Sequence, residues 1–288
     1  MNLQDAIKSY MEYLEYEQLA SSNTIPVRLA DLNKYHRYMG QGKKIEDIRE
    51  IETHHLRSYI SHLRTEEGYQ PISICNIISG LRAFYSFSVK RGIVAKNLAE
   101  KIKKPRVEQK EIEHFTWEEV EKIFLSLPRD PNYLRNICIL LLFYYSGVRL
   151  DELRYIEVSD LSADFSEMYV EKAKGDKSRL LPVHPFVQRV LKLYLRQAQN
   201  SSYLFPGKEE KPLSKSRVYK IVKNCGETAG IKKRVSPHTF RHSFATHLHQ
   251  KGVDINRLAL LLGHANIEKT ATYTHTEDDE LIEAVQKL

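Results

Sequence analysis

The residues that could do chemistry are concentrated near the end of the chain, in the run SPHTFRHSFATHLHQKGVDINRLALLLGHANIEKTATYTHT at 236–276. Two further cations lie upstream, in SGVRLDEL and AKGDKSR. Together these segments supply two arginines, two histidines, a lysine and a tyrosine, which are Arg149, Lys174, His238, Arg241, His264 and Tyr273. Cationic side chains stabilise the charge of a phosphodiester transition state, and a phenol supplies an oxygen nucleophile. The set therefore predicts covalent attack on a phosphodiester.

Arginine and tyrosine fit this chemistry for separate physical reasons. The planar guanidinium group of an arginine can bind two phosphate oxygens at once, which a lysine ammonium group cannot do. A tyrosine phenol has an ordinary pKa of about 10, so attack at neutral pH needs a base and positive surroundings. Because cations can stabilise the phosphate and the new ester conserves the bond energy, the sequence predicts neither a metal ion nor a nucleotide cofactor.

A carboxylate accompanies the first arginine. Glu152 follows Arg149 by three residues, so the two side chains can share one face of a helix. We expect Glu152 to orient and support the guanidinium group. The alternative is an ordinary surface ion pair, which contributes about 0.3 kcal/mol.

The first half of the C-terminal run predicts a helix with an anion site. Ser236 before Pro237 is typical of a helix start, with a capping side chain and then proline in the first turn. His238 and Arg241 are three residues apart, so they share a face near that N-terminus, where backbone N–H groups favour an anion. Apolar residues at a spacing of four predict the buried stripe, formed by Phe240, Phe244 and Leu248.

The second half of the run predicts another helix and a turn. Asp254 is expected to cap a helix that ends at Gly263, because glycine is common just after a helix C-terminus. His264 then lies on the turn that follows, and Tyr273 lies at or near the end of a next short helix. Any one of these residues alone is more often a packing or surface residue, so the argument depends on the whole set.

The quoted motifs together carry a family resemblance. SPHTFRHSFATH followed by LGHANIEKTATYTH resembles the signature of the tyrosine site-specific recombinases, the Xer and phage-integrase family. SGVRLDEL resembles the first arginine motif of that family, and KGDKSRLLPV resembles its lysine hairpin. The resemblance runs from about Trp117 to the end of the chain. The first hundred residues resemble the N-terminal DNA-clamping domain only in length and helical pattern.

The resemblance implies a role for each candidate residue. Tyr273 is the nucleophile that forms a phosphotyrosyl link to the DNA 3′ end and leaves a free 5′ hydroxyl group. His238 does base-like work, and Lys174 protonates the leaving group. Only the resemblance selects Lys174 over Lys172 and Lys177, which are rivals for that role.

The resemblance also implies an assembly and a task. A homo-tetramer acts on two double-stranded DNA sites with inverted-repeat-like cores and exchanges strands through a Holliday junction. A Xer-like or simple resolvase architecture is expected, with a related recombinase or an accessory protein as a further candidate partner. Dimer resolution, cointegrate resolution and integration or excision of a mobile element stay open.

The fold is predicted to be mainly α-helical with one small β-hairpin. Four helices form an N-terminal DNA core-binding clamp domain, NYLRNICILLLFYYSG is the buried central helix of the catalytic domain, and MYVEKAKGDKSRLLPV is a hairpin that turns at Gly175-Asp176. The predicted domains are a clamp at 1–102, a basic linker at 103–114, a catalytic domain at 115–275 and a C-terminal helix at 276–288. That helix could dock on a neighbouring subunit or pack on its own domain.

The net charge of +7 permits a nucleic-acid partner without requiring one. Basic side chains on predicted polar helix faces are the candidate DNA contacts, and these are Arg28, Lys34, Arg57, Arg82, Lys90, Lys215, Arg217 and Lys220. The alternative is an ordinary solvated basic surface.

Cysteine usage and hydropathy favour a cytoplasmic protein. Cys75, Cys138 and Cys225 are scattered and contain no CxxC motif, which argues against a disulfide framework or a zinc ribbon. The acidic and polar N-terminus is not typical of a signal peptide. We expect no apolar run long enough to cross a membrane.

Three other functions remain to be weighed. A metal hydrolase could use the abundant histidines, since His238 and His242 have the i, i+4 spacing of a zinc helix, but HTFRH lacks the glutamate of HExxH. A DNA-binding regulator without chemistry would explain the basic helices but not the complete catalytic set. A type IB topoisomerase shares the chemistry and would relax supercoiled DNA without a specific site.

Overall fold

The computed structural model describes residues 1–20, 24–107, 113–171, 178–197, 201–263 and 275–288, with only the backbone of 275–279. The described chain is mainly helical with one two-stranded sheet, which confirms the predicted fold class. It divides into two compact units, Met1–Lys110 and Glu111–Leu288. The boundaries and roles given to a clamp, a linker at 103–114 and a catalytic domain stay predictions.

Among the described residues, the first unit contains four α-helices, as expected from its apolar spacing. They are α1 Leu3–Glu12, α2 Thr24–Arg37, α3 Thr53–Thr65 and α4 Pro71–Lys90. α1 begins where the side chain of Asn2 accepts a hydrogen bond from the backbone of Gln4, and α4 begins with proline in its first turn. α1 and α2 continue into π-helical turns at Tyr13–Glu17 and Tyr38–Gly42, which the sequence pattern did not predict.

Helix α4 corrects one expectation. Its 20 residues are long and apolar enough to cross a membrane by length and composition, so the sequence-based exclusion was wrong on those criteria. Half of its apolar window is buried inside the protein. Phe84 and Tyr85 are fully buried, and the hydroxyl group of Tyr85 shares a hydrogen bond of 2.8 Å with that of Tyr35. This burial is typical of the core helix of a globular domain.

In the described part of the second unit there are eight α-helices and one sheet. The helices are α5 Trp117–Leu125, α6 Tyr133–Tyr145, α7 Leu150–Tyr155, α8 Pro185–Gln197, α9 Lys215–Thr228, α10 Pro237–Gln250, α11 Ile255–Leu262 and α12 His275–Gln286. Strands β1 Glu167–Val170 and β2 Arg179–Pro182 pair antiparallel, with Tyr169 opposite Leu180. This pairing confirms the predicted hairpin, whose predicted turn at Gly175-Asp176 lies outside the described residues.

Helix α6 is the centre of the second unit, as predicted. Every residue from 137 to 144 is buried, and α8 and α10 pack against the helix. The run Thr116-Trp117-Glu118-Glu119 predicts a capping box, and α5 begins with one. The hydroxyl group of Thr116 accepts from the backbone of Glu119, and the carboxylate of Glu119 accepts from the backbone of Thr116 at 2.8 Å.

The two helices of the C-terminal run begin and end as predicted. The Ser236 side chain caps α10, and the Asp254 side chain accepts hydrogen bonds from the first turn of α11. α11 ends at Gly263, which has a φ of 62°. The predicted apolar stripe of α10 is fully buried and consists of Phe240, Phe244 and Leu248.

The last helix, α12, packs on its own unit in this chain. Leu281, Ala284 and Val285 are buried in the core of the second unit, and Glu280 forms an ion pair of 2.7 Å with Arg257 of α11. Of the two arrangements expected for this segment, packing on its own domain is the one seen here. Exchange between subunits stays a prediction.

Candidate active site

The site is built around the carboxylate of Glu152. Helix α7 begins directly after Arg149, and Glu152 occupies its third position. One carboxylate oxygen accepts from the backbone N–H of Arg149 at 2.7 Å, and the other accepts from its guanidinium Nη1 at 2.9 Å. The side chain of Glu152 is only 3% exposed, so this pair is not the surface ion pair of the alternative interpretation. The predicted support of Arg149 by Glu152 is present in the geometry.

A second arginine, which the sequence interpretation missed, binds the same carboxylate. Arg179 of β2 donates from Nη1 and Nη2 to the two oxygens of Glu152 at 2.9 and 3.0 Å, and its side chain is 6% exposed. The sequence contains a signal for this, because Arg179 and Leu181 are two residues apart in a predicted strand and therefore lie on the same face. Leu181 is buried, so an arginine at that register also faces the interior.

A third arginine comes from α10. The Nη1 atom of Arg241 lies 4.0 Å from a carboxylate oxygen of Glu152 and donates to the carbonyl group of Gly147. Gly147 follows α6 with a φ of 58°, a left-handed conformation that favours glycine. His238 lies one turn earlier on α10 and is exposed, so the helix presents both candidate residues near its N-terminus.

The end of α11 meets all three guanidinium groups. Successive carbonyl groups accept one hydrogen bond from each arginine, with Leu261 paired to Arg179, Leu262 to Arg241 and Gly263 to Arg149. The C-terminus of a helix carries partial negative charge on such carbonyls, so it attracts cations. Four segments that are distant in the sequence are thereby held at one point, namely α7, β2, α10 and the end of α11.

The cluster carries three guanidinium cations against one carboxylate, and it is therefore suited to an anion. Burial raises the pKa of Glu152, but the hydrogen bonds and charge of Arg179 and then Arg149 outweigh it and lower that pKa to about 2. Burial, followed by the charge of Arg149, lowers the pKa of Arg241, although an arginine remains a cation at neutral pH. Arg149 is the most exposed of the three, at 34%, and is the best placed to reach a ligand.

Three of the predicted catalytic residues lie outside the described residues. These are Lys174, His264 and Tyr273. The described chain brings together Arg149, Arg241 and the supporting Glu152, with His238 on the same helix as Arg241. The catalytic roles of all six candidates stay predictions.

The predicted DNA contacts fall into two groups. Four are exposed, and these are Arg57, Lys90, Arg217 and Lys220. Hydrogen bonds inside their own unit are made by the other four, which are Arg28, Lys34, Arg82 and Lys215. Arg82 is half-buried and donates to the carbonyl groups of Ala99 and Ile102, so its described contacts hold the first unit together. DNA binding by these eight residues stays a prediction.

Family models match both units of the chain. Residues 113–280 match the phage integrase family, and residues 7–92 match the phage integrase N-terminal SAM-like domain. The chain belongs to the phage integrase family. The resemblance inferred from the sequence motifs is therefore confirmed, and the N-terminal match extends it to the first hundred residues.

Three similar proteins span nearly the whole chain. A tyrosine recombinase of Thermosipho africanus is 33% identical over 98% of this chain and 99% of its own length. The tyrosine recombinase XerD of Staphylococcus haemolyticus is 31% identical over 97% of this chain and 96% of its own length. In fold, the chain resembles a lambda integrase tetramer bound to a Holliday junction, with a TM-score of 0.75 at 16% identity over 95% of this chain and 80% of that one.

As a member of this family, the protein is a tyrosine recombinase. Such an enzyme transfers DNA strands in site-specific recombination. The described part of the chain does not support the metal-hydrolase alternative. Within the described ranges, no group of three or more His, Cys, Asp or Glu side chains could hold a metal ion. His247 is a core residue of the integrase domain, with Nδ1 2.8 Å from the hydroxyl group of Tyr144 and its ring stacked on Trp117.

Proposed function

We propose that this recombinase cleaves and rejoins DNA through a 3′-phosphotyrosyl intermediate, with Tyr273 as the nucleophile. The observation that supports it best is the convergence of Arg149 and Arg241 beside a buried Glu152, at the end of the helix that directly precedes His264. Two guanidinium groups fixed in this way form a binding place for a phosphate whose charge increases in the transition state.

The proposed reaction balances without a cofactor. The phenol oxygen of Tyr273 forms a bond to phosphorus, and the bond from phosphorus to the 5′ oxygen breaks. His238 assists removal of the phenol proton, and Lys174 donates a proton to the leaving 5′ oxygen. Arg149, Arg241 and His264 stabilise the phosphate oxygens. Rejoining is the reverse attack by a 5′ hydroxyl group on the phosphotyrosine, so the bond energy is conserved and no nucleotide is consumed.

The proposed assembly is a homo-tetramer on two DNA sites with inverted-repeat-like cores, exchanging strands through a Holliday junction. The likeness to a lambda integrase tetramer bound to such a junction supports it. The proposed clamp domain at 1–102 would hold the duplex through exposed cations such as Arg57 and Lys90, with 103–114 as a basic linker. The segment 276–288 is a candidate for exchange between subunits.

The proposed task is Xer-like resolution of DNA dimers or cointegrates, or else integration and excision of a mobile element. A related recombinase or an accessory protein is a candidate partner. The proposed location of a protein that acts on such DNA is the cytoplasm. The near full-length similarity to a XerD protein supports the Xer-like part of this proposal.

Trapping on nicked suicide DNA tests the chemistry. The DNA would come from sequence flanking the gene and from the host's dimer-resolution site, and the reaction would be run in EDTA with wild type beside Tyr273→Phe. We expect a DNA-linked protein band on a denaturing gel for wild type and none for the variant. The result would establish the nucleophile and show that no metal ion is needed.

Other outcomes favour the competing functions. A band with both proteins would move the nucleophile to another residue. Tight binding to the same DNA without any band would favour a regulator that lacks chemistry. Relaxation of a supercoiled plasmid that carries no specific site would favour a type IB topoisomerase.

A further inference from the structure

Arg179 is a buried arginine whose hydrogen bonds all point inward. Its side chain is 6% exposed, and it donates through Nη1 and Nη2 to both oxygens of Glu152. Its Nε donates to the carbonyl group of Leu261 at 3.0 Å. With a fork on one side and a backbone carbonyl on the other, the guanidinium group connects a carboxylate to the last turn of α11.

This arrangement fixes the plane of the Glu152 carboxylate. Each oxygen is shared between the two arginines, since Oε1 accepts from Nη1 of Arg149 and Nη1 of Arg179, both at 2.9 Å. Oε2 accepts from the backbone of Arg149 at 2.7 Å and from Nη2 of Arg179 at 3.0 Å. A two-point fork prevents rotation of the carboxylate, so the contact with Arg179 decides where the guanidinium group of Arg149 is held.

The other arm of Arg179 acts on the second arginine. The carbonyl that it binds, Leu261, is adjacent to Leu262, whose carbonyl accepts from Arg241. Gly263 follows, and its missing side chain is required here, because a Cβ atom would lie 2.9 Å from a guanidinium nitrogen of Arg179. Arg179 therefore binds Glu152, the partner of Arg149, and the residue next to Leu262, the partner of Arg241.

Stability alone does not explain such a residue. Burying an arginine and a glutamate costs desolvation energy, and an apolar pair of similar volume is often as stable. A geometric role explains it better, because small displacements of groups that bind a transition state reduce reaction rates strongly.

We propose that Arg179 is a positioning residue for strand cleavage, which holds Arg149 through Glu152 and Arg241 through the end of α11 without contacting DNA. This inference rests on the proposed function, in which those two arginines bind the scissile phosphate. It also predicts that Arg179 keeps Glu152 ionised. The charged groups around Glu152 make that role measurable as a change in pH dependence.

Charged groups of both signs lie near Glu152. Arg149, Arg179 and Arg241 are within 4.0 Å of its carboxylate, and Glu152 lines a cavity of about 330 Å³ together with the acidic residues Asp151, Glu157, Asp160 and Glu171. Removing the charge of Arg179 takes away the largest influence that lowers the pKa of Glu152 and leaves the burial and the acidic neighbours. The pKa of Glu152 should rise, and a protonated Glu152 would hold Arg149 poorly.

The test compares single-turnover cleavage of the suicide DNA by wild type, Arg179→Met and Arg179→Lys, with DNA affinity and melting temperature measured on the same proteins. We expect both variants to cleave about 100-fold more slowly while DNA affinity stays within about threefold of wild type. As the pH is lowered toward 5, Arg179→Met should lose a larger share of its activity than wild type and Arg179→Lys do. Adding Glu152→Gln to Arg179→Met should abolish this extra pH dependence.

Arg154→Met is the matched control. Arg154 is also an arginine of low exposure that binds a carboxylate, Asp151, and a backbone carbonyl, that of Leu213. We expect it to lose stability but not cleavage. The positioning role is overturned if Arg179→Met cleaves at the wild-type rate, or if Arg154→Met at equal stability slows as much. A wild type that forms no adduct on DNA that it binds contradicts the proposed function itself, which separates the two failures.

Discussion

Two helices of the second unit begin with the same local motif and use it differently. In α5, Glu119 reaches back to the backbone N–H of Thr116 at 2.8 Å, and in α7, Glu152 reaches back to that of Arg149 at 2.7 Å. Threonine completes the capping box of α5 with its own hydroxyl group. Arginine has only donors, so α7 begins without a side-chain cap.

The difference lies in what the glutamate meets beyond its own helix. The Glu119 side chain is 25% exposed and pairs with Lys233, whereas the Glu152 side chain is 3% exposed and binds two arginines. Helix α7 begins with an arginine instead of a residue whose side chain can cap it, and this departs from the usual preference for helix starts. Such departures are expected at functional sites, because function and local stability then favour different residues.

The largest effect on cleavage is expected when the start of α7 is made to resemble that of α5. Arg149→Thr supplies the missing capping hydroxyl group and removes the guanidinium group that is proposed to bind the phosphate. We expect cleavage of the suicide DNA to fall about 1000-fold, because one fixed donor to the transition state is lost. The free energy of unfolding should change by less than about 2 kcal/mol, since the gained cap offsets part of the lost ion pair. Cleavage within a factor of ten of wild type would contradict a role for Arg149 at the phosphate.

The two glutamates themselves provide the next test. Glu152→Gln leaves three guanidinium groups without their carboxylate, so we expect cleavage to slow about 100-fold. Glu119→Gln keeps the helix start nearly intact, costs about 1 kcal/mol in unfolding free energy and leaves cleavage within about twofold. Single-turnover cleavage and urea unfolding of both variants check this. Equal effects on cleavage would mean that the two motifs have one role.

The dependence of stability on pH gives a third test of the comparison. The folded-state pKa of Glu152 is about 2 against an ordinary value of 4.5, so its ionisation stabilises the fold above that ordinary value and is lost as the pH falls toward 2. The advantage of wild type over Glu152→Gln in unfolding free energy should shrink by about 3 kcal/mol across that window. Glu119, whose pKa is lowered less far, should give a smaller change. Urea unfolding from pH 6 to pH 2 measures both slopes, and parallel slopes would contradict the distinction.

The sequence alone predicted the local features of the fold well. The caps at Ser236 and Asp254, the end of α11 at Gly263 and the capping box at Thr116 are all present, because each depends on residues within one turn of each other. The exception is the pair of π-helical turns that follow α1 and α2 in the first unit, because the spacing of the apolar residues does not distinguish a π-helical turn from an α-helical one.

The site could be predicted only in part. Arg149, Glu152 and Arg241 were identified from residue type, spacing and motif, and the structure brings them together. Arg179 was missed because its role depends on the register of β2 and on the approach of α7, which are tertiary facts. The pattern of the sequence shows that a strand residue faces inward, but it does not show what the residue meets there.

Two glycines, Gly147 and Gly263, set a boundary for protein engineering. Each lies just after a helix in the left-handed conformation, and each directs its carbonyl group to a guanidinium group of the site. A Cβ atom at Gly147 would lie 2.5 Å from the ring of Phe244, and one at Gly263 would lie 2.9 Å from Arg179. A designer who varies the exposed basic residues of α9, which are predicted DNA contacts, should therefore leave both glycines unchanged.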